Sequence, residues 1–221
     1  MERYKHLNNY LKEKFGQRTL KICIDGGFTC PNRDGTSGFG GCIFCSEKGS
    51  GEHINSLDSI STQVENYFKS YKAQRANRFI AYFQNFTNTY DTVDNLKKKY
   101  DTALIDNRIV GLSIATRPDC ITEEIVQLLH TYTKNYYVCV ELGLQTSNDN
   151  TGKLINRCYT SSQFTQAVEL LNKYNIDVVT HIMVGLPGES DEDIKNTVKF
   201  LNQHNIQGLK IHSCYVIKNT V

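Results

Sequence analysis

The sequence of 221 residues predicts an α/β fold, an open (β/α)6 arc or another sheet of mainly parallel strands. Three observations predict it. Six short runs rich in Val, Ile, Phe, Tyr and Thr recur along the chain, and their apolar character is continuous rather than alternating, as suits parallel strands covered by helices. Polar stretches with helical periodicity separate them. The composition, 39% hydrophobic and 22% charged with 15 Gly and 3 Pro, belongs to one folded domain with a single core and excludes a disordered or fibrous chain.

The elements follow in order. Residues 1–18 form a basic helical arm, and 19–221 the core. Arg3, Lys5, Lys12, Lys14, Arg18 and Lys21 stand against Glu2 and Glu13, so residues 1–21 carry +4 while the whole chain carries +2. Such an arm either contacts phosphates or is a solvated helix leading into the domain. Strands are expected at 20–24, 79–86, 110–115, 137–144, 178–184 and 209–217. Helices are expected at 59–75, 91–103, 122–133, 160–174 and 190–205. Thr122 followed by two Glu, and Ser190 followed by Asp-Glu-Asp, are helix starts; Asn175 and Asn205 stand where helix C-caps would be. The Lys97-Lys98-Lys99 run reads as a helix's outer face. βαβ units cross over right-handedly, and their chemistry collects at the C-terminal ends of the strands. No apolar run approaches the roughly 20 residues of a spanning helix, and the N-terminus opens polar, so no membrane partner and a cytoplasmic location are expected.

Eight cysteines without a signal peptide point to a reducing compartment, where thiols serve metals, catalysis or packing. Three of them, Cys30, Cys42 and Cys45, are spaced C-x11-C-x2-C in the long interruption after the first strand. Six of the 15 glycines fall between residues 26 and 41 of the same stretch, freeing the backbone to wrap around something. Soft thiolates select zinc or iron–sulfur. A closed zinc site needs a fourth ligand, for which His53 is nearest. Three cysteines alone would leave one iron of a [4Fe–4S] cluster open to a substrate. A zinc-stabilised, non-catalytic module binding nucleic acid or protein is therefore the competing expectation.

The stretch Asp25-Gly-Gly-Phe-Thr-Cys-Pro-Asn-Arg-Asp-Gly, with Gly41-Cys-Ile-Phe-Cys45, Phe83-Gln-Asn-Phe-Thr-Asn-Thr-Tyr90, Glu141-Leu-Gly-Leu-Gln-Thr146 and Gly185-Leu-Pro-Gly-Glu189, resembles the radical S-adenosylmethionine (SAM) enzymes. Within them it is most similar to the YtqA/YhcC-type subfamily, distantly related to the catalytic subunit of Elongator. The resemblance implies a partial (β/α)6 barrel in which Cys30, Cys42 and Cys45 hold a [4Fe–4S] cluster, with Phe44 before the last ligand. It implies that SAM binds the open iron and is cleaved to a 5′-deoxyadenosyl radical. It places Gln84, Asn85 and Asn88 near the SAM amino group, Glu141 and Arg157 at the ribose and methionine carboxylate, and Val184 and Gly185 under the adenine. It implies an electron donor such as flavodoxin or ferredoxin, and a tRNA substrate whose wobble uridine changes from a carboxymethylaminomethyl to an aminomethyl side chain. Two departures stand out. The subfamily reads Asn-Arg-Gly-His where this chain has Asn156-Arg-Cys-Tyr159, and the chain stops at Lys218-Asn-Thr-Val221, where relatives continue, so a barrel that ends early is expected.

Other residues carry two readings each. His181 and His212, on the fifth and sixth strands, are acid/base groups in the barrel or structural histidines. Tyr82, Phe83, Phe86 and Tyr90 stack on a base or fill the core. Arg117 and Asp119 contact substrate or each other. Cys23 and Cys139 are expected as small hydrophobes in strands, and Cys120, Cys158 and Cys214 as packing or minor site residues.

Overall fold

The computed structural model describes residues 3–46, 49 and 57–215; His53 and the expected end of the sixth strand at 216–217 lie outside them. Six strands, β1 (Thr19–Ile24), β2 (Arg78–Phe83), β3 (Ile109–Thr116), β4 (Tyr137–Gln145), β5 (Asp177–Val184) and β6 (Gly208–Ser213), make one sheet in their sequence order. Every neighbouring pair is parallel. Helix α1 (Leu7–Phe15) precedes β1. The crossovers run through α2 (Ile60–Lys69), α3 (Val93–Ala103), α4 (Glu123–Tyr132), α5 (Asp149–Leu154) with α6 (Ser161–Lys173), and α7 (Asp191–Leu201).

The sheet is curled into a half-barrel. Lys210 Nζ on β6 lies 3.2 Å from the Tyr82 hydroxyl on β2, four strands away. In a flat sheet those strands would stand about 19 Å apart, so only curvature brings the side chains together. The outer face carries Ile22, Ile24, Phe79, Phe83, Leu112, Ile114, Val138, Val140, Leu142 and Val178, all buried. They pack with Val64, Leu96, Tyr100, Val126, Leu129, Phe164 and Leu171 from the helices. The inner face is different. Lys21, Tyr82, Ser113, Glu141, His181, Lys210 and His212 occupy the alternate positions there, so the strands are apolar on one side and polar on the other.

Local chemistry explains where the elements stop. Thr122 accepts from the Ile125 amide to start α4, and Ser190 with Asp193 forms a capping box on α7. The expected helix at 59–75 breaks at Ser70, whose extended backbone ends α2 and whose hydroxyl donates to Tyr67 O at 2.6 Å; a 3-10 turn, Tyr71–Arg75, follows. β2 ends at Phe83, short of 86, because the chain turns there and Phe86 takes φ +57°. Asn175 follows α6 with φ +56°, whereas α7 closes at Asn202 rather than Asn205. Lys99 departs from an outer-face role. It donates to Gly26 O at 2.8 Å and lies 3.9 Å over the Phe28 ring, tying α3 to the loop after β1. Cys23 is exposed on edge strand β1, not packed as a small hydrophobe, while Cys139 is buried as expected.

Candidate functional site

The loop after β1 folds across the C-terminal ends of the strands and roofs a cavity of about 570 Å3. Cys30, Cys42, Phe44 and Cys45 line one end of it, and Tyr82, Glu141, His181, Lys210 and His212 the other. The cysteine loop owes its shape to backbone bonds. Arg33 N donates to Cys30 O at 2.8 Å, Gly41 N to Asn32 O at 2.8 Å, and Cys45 N to Cys42 O at 2.9 Å. Gly41 takes φ +77°, a conformation that favours glycine. Arg33 donates to the carbonyls of Cys45 and Ser46.

A second segment holds the loop from behind. Asn156 donates to Phe39 O and Gly41 O, Asn32 donates to Asn156 O at 2.5 Å, and Ile43 N to Ile155 O. Asn156 and Cys158 take φ +52° and +60° there. The left-handed backbone at 158 is one that favours glycine, the residue the resemblance implies there. Tyr159 donates to Gly143 O at 2.8 Å, and the Arg117 and Arg157 guanidinium groups both lie over its ring.

The thiols fit a soft metal cluster. All eight cysteines are free. Burial pushes the Cys42 thiol up to about 12, with Arg117 opposing and the neighbouring Cys45 and Cys30 adding to the rise. Burial also raises Cys45, against Arg33. Loading these sulfurs therefore displaces protons. Arg117 NH1 lies 3.9 Å from Cys30 Sγ and Asn32 Nδ2 3.7 Å from Cys42 Sγ, donors suited to sulfur that has become anionic. Among the described residues no three His, Cys, Asp or Glu side chains are grouped to hold a metal ion. All three thiols lie on the wall of the cavity. Thr87, also on that wall, has a buried hydroxyl without a protein partner.

The other candidates divide. Gln84 lines the cavity. Asn85 and Asn88 are buried; Asn85 Nδ2 donates to Asp25 at 2.6 Å and Asn88 Nδ2 to Ala115 O at 2.7 Å, leaving each Oδ1 buried without a partner. Arg117 and Asp119 form a buried bidentate pair, at 2.9 and 2.7 Å. Val184 and Gly185 close β5 beyond the cavity wall; Val184 O accepts from Cys214 N and Gly185 has φ +86°. Arg157 is fully buried and each guanidinium nitrogen is engaged, with Tyr159 O, Leu144 O, Thr146 O and Asp149. It fixes the turn that follows β4. Gln145 in that turn has φ +67° and lines the cavity, a residue the motif contains but spacing alone does not single out.

Arg157 fits because Gly152 has no side chain. A Cβ there would stand 2.7 Å from Arg157 NH2 and 2.9 Å from its Cζ. Gly152→Ala is expected to cost roughly 2 kcal/mol through overpacking, lowering the thermal midpoint by about 4–8 °C. An unchanged midpoint in a melting experiment would show that the guanidinium moves freely.

Glu141 organises the interior. Its side chain is fully buried, with Lys21 and Ser113 at Oε1, His181 Nε2 at 2.7 Å and Lys210 Nζ at 3.8 Å from Oε2. Burial pushes its carboxyl up, but the His181 hydrogen bond and Lys21 outweigh that and hold it well below the usual range. Burial pulls His181 down against Glu141, and holds His212 at about 4, so both are neutral near pH 7. Tyr82 lines the cavity, Phe86 does too, Phe83 belongs to the helix-side core, and Tyr90 bonds Thr36 at 2.7 Å.

A model of the radical SAM superfamily matches residues 30–201. The uncharacterized protein YtqA of Bacillus subtilis (strain 168) is 41% identical over 99% of this chain and 69% of its own length. A tRNA uridine(34) acetyltransferase of Dehalococcoides mccartyi (strain CBDB1) is 35% identical over 52% of this chain and 25% of its own. Among solved structures, Methanocaldococcus infernus Elp3 superposes with a TM-score of 0.66 at 19% identity, covering 91% of this chain. Streptococcus suis SuiB bound to S-adenosylmethionine does so with 0.60 at 16% identity, covering 96%. The chain spans 47% and 45% of those two, likenesses that concern the fold. No helix among the described residues is long and apolar enough to cross a membrane.

Proposed function

The chain belongs to the radical SAM superfamily, and from that premise we propose that it acts on a modified wobble uridine of tRNA, taking a carboxymethylaminomethyl side chain to its aminomethyl form. It is an enzyme of a family whose cofactors are a [4Fe–4S] cluster and SAM. Cys30, Cys42 and Cys45 would hold the cluster, the three ligands leaving one iron without a protein donor. Together the bound cofactors supply one-electron cleavage of a sulfonium C–S bond, and with it a carbon-centred radical able to take hydrogen from a substrate.

The observation that carries this reading is one continuous cavity with thiols at one end and a polar interior at the other. The protein's own residues then do four things. Arg117, neutralised by Asp119, presents an N–H to Cys30. Gln84, Gln145 and the unpartnered hydroxyl of Thr87 offer polar atoms on the cavity wall for the SAM amino acid and ribose, with Asn85 and Asn88 buried behind them. Arg157 fixes the backbone beside Gln145, and Val184 and Gly185 supply the turn for the adenine. The tRNA assignment draws support from the uridine-34 acetyltransferase relative. Free thiols as ligands suit a reducing cytoplasm, with flavodoxin or ferredoxin as the reductant.

Anaerobic reconstitution with iron and sulfide is expected to give a brown protein that releases 5′-deoxyadenosine from SAM after reduction. Stoichiometric zinc binding with no nucleoside formed would favour a non-catalytic module instead. Nucleoside analysis of tRNA from cells lacking the gene is expected to show the carboxymethylaminomethyl form accumulating. An unchanged wobble-uridine profile would remove the substrate assignment.

A further inference from the structure

Among the described residues of the barrel interior Lys21 pairs closely with Glu141 while Lys210 stands off from it and faces the cavity, and we propose that Lys210 binds the carboxylate of the substrate. The identity of that substrate rests on the wobble-uridine reading; the placement of Lys210 does not. Glu141 is the one acidic side chain among the described residues of the cavity wall. Lys21, from the opposite edge strand, pairs with it closely at Oε1. Its other oxygen accepts from His181 at 2.7 Å. Lys210 stands farther off, at 3.8 Å, and donates to the Tyr82 hydroxyl at 3.2 Å.

The neighbours leave this cation available. Its side chain is 41% exposed on the cavity wall, against 23% for Lys21. Arg117 is neutralised by Asp119, and Arg33 is tied to the carbonyls of Cys45 and Ser46. His181 and His212 pack against each other with ring centroids 5.1 Å apart and are neutral near pH 7. Lys210 is therefore the ammonium group of the interior held least closely by a carboxylate, and its point charge faces the cavity where a substrate carboxylate can reach it. Burial pulls the Lys210 amine down from its usual value, a cost that an arriving anion offsets. The group sits at the far end of the cavity from the thiols, where an anion held by Lys210 would leave the rest of the substrate pointing toward the cysteine loop.

The test compares binding of the free nucleosides 5-carboxymethylaminomethyluridine and 5-aminomethyluridine to the reconstituted full chain. The wild type is expected to prefer the first by about tenfold, the scale of a hydrogen bond to a charged group. Lys210→Met should abolish the preference and Lys210→Arg should keep it, while both still bind SAM. Equal affinity of the wild type for the two nucleosides, or a preference kept by Lys210→Met, would overturn the proposal. Loss of SAM binding in Lys210→Met would overturn it too, since Lys210 would then serve the methionine carboxylate. A preference for 5-carboxymethyluridine over 5-methyluridine, lost in Lys210→Met, beside an unchanged wobble profile in cells, would uphold the carboxylate site and remove only the wobble-uridine reading.

Discussion

Replacing Cys42 with Ala is expected to leave a folded protein that assembles no cluster. Cys42 is the middle of the three thiols, held by the turn that Cys45 N closes and faced by Asn32. Loss of a group that merely supports a metal ligand costs roughly ten- to a hundredfold in metal affinity, and loss of a ligand from a set of only three exceeds that. Iron and sulfide content and the broad visible absorbance should collapse together, and 5′-deoxyadenosine formation with them. Cys139→Ala is the matched control. That thiol is buried on β4 and packs inside the barrel, away from the loop. Its removal should cost stability and leave the cluster in place. Full iron content in the Cys42 variant would sink the ligand assignment.

Glu141→Ala is expected to be the most destabilising single change in the interior. Without the carboxylate, Lys21 and Lys210 face one another with no anion between them. Removing a buried partner of polar and part-exposed charged groups costs about 1–3 kcal/mol, which urea denaturation resolves. Adding Lys21→Met should recover part of the loss, because it removes the stranded charge. The pH dependence has a definite sign. The native carboxyl is held below its ordinary value, about 4.3 in an unfolded chain, so its stabilisation is complete above that value. It is lost as pH falls through the lowered native value. The wild type should therefore lose stability on acidification in a way that Glu141→Ala does not. Parallel stability-versus-pH curves for the two proteins would show that the network contributes nothing.

The sheet was legible in the sequence from its six apolar runs and from caps such as Thr122 and Ser190, although the runs expected to be continuous alternate with polar residues on the inner face. The cysteine loop was legible from spacing and glycine content. The interior was legible only in part, through Glu141, His181 and His212. Lys21 reads as one more charge of a basic arm and Lys210 as an isolated lysine, and only the curl of the sheet brings them to the same carboxylate. Alternation within Thr19–Ile24 and Gly208–Ser213 carries the signal, since each lysine is flanked by apolar residues of the opposite parity. Arg157 shows the converse. Its motif position is plain in the sequence, yet its partners are backbone carbonyls that become visible only when the turn after β4 is built.

The clamp between Asn156 and the cysteine loop bears on the order of events in folding. The carbonyls of Phe39 and Gly41 are held by a side chain 117 and 115 residues further along the chain. Contacts of that sequence separation form late, after the loop-closure entropy of the intervening chain has been met. The loop that carries Cys30, Cys42 and Cys45 is thus braced by a segment that follows β4, so its shape depends on the strands between them and a truncation before Asn156 would remove the brace.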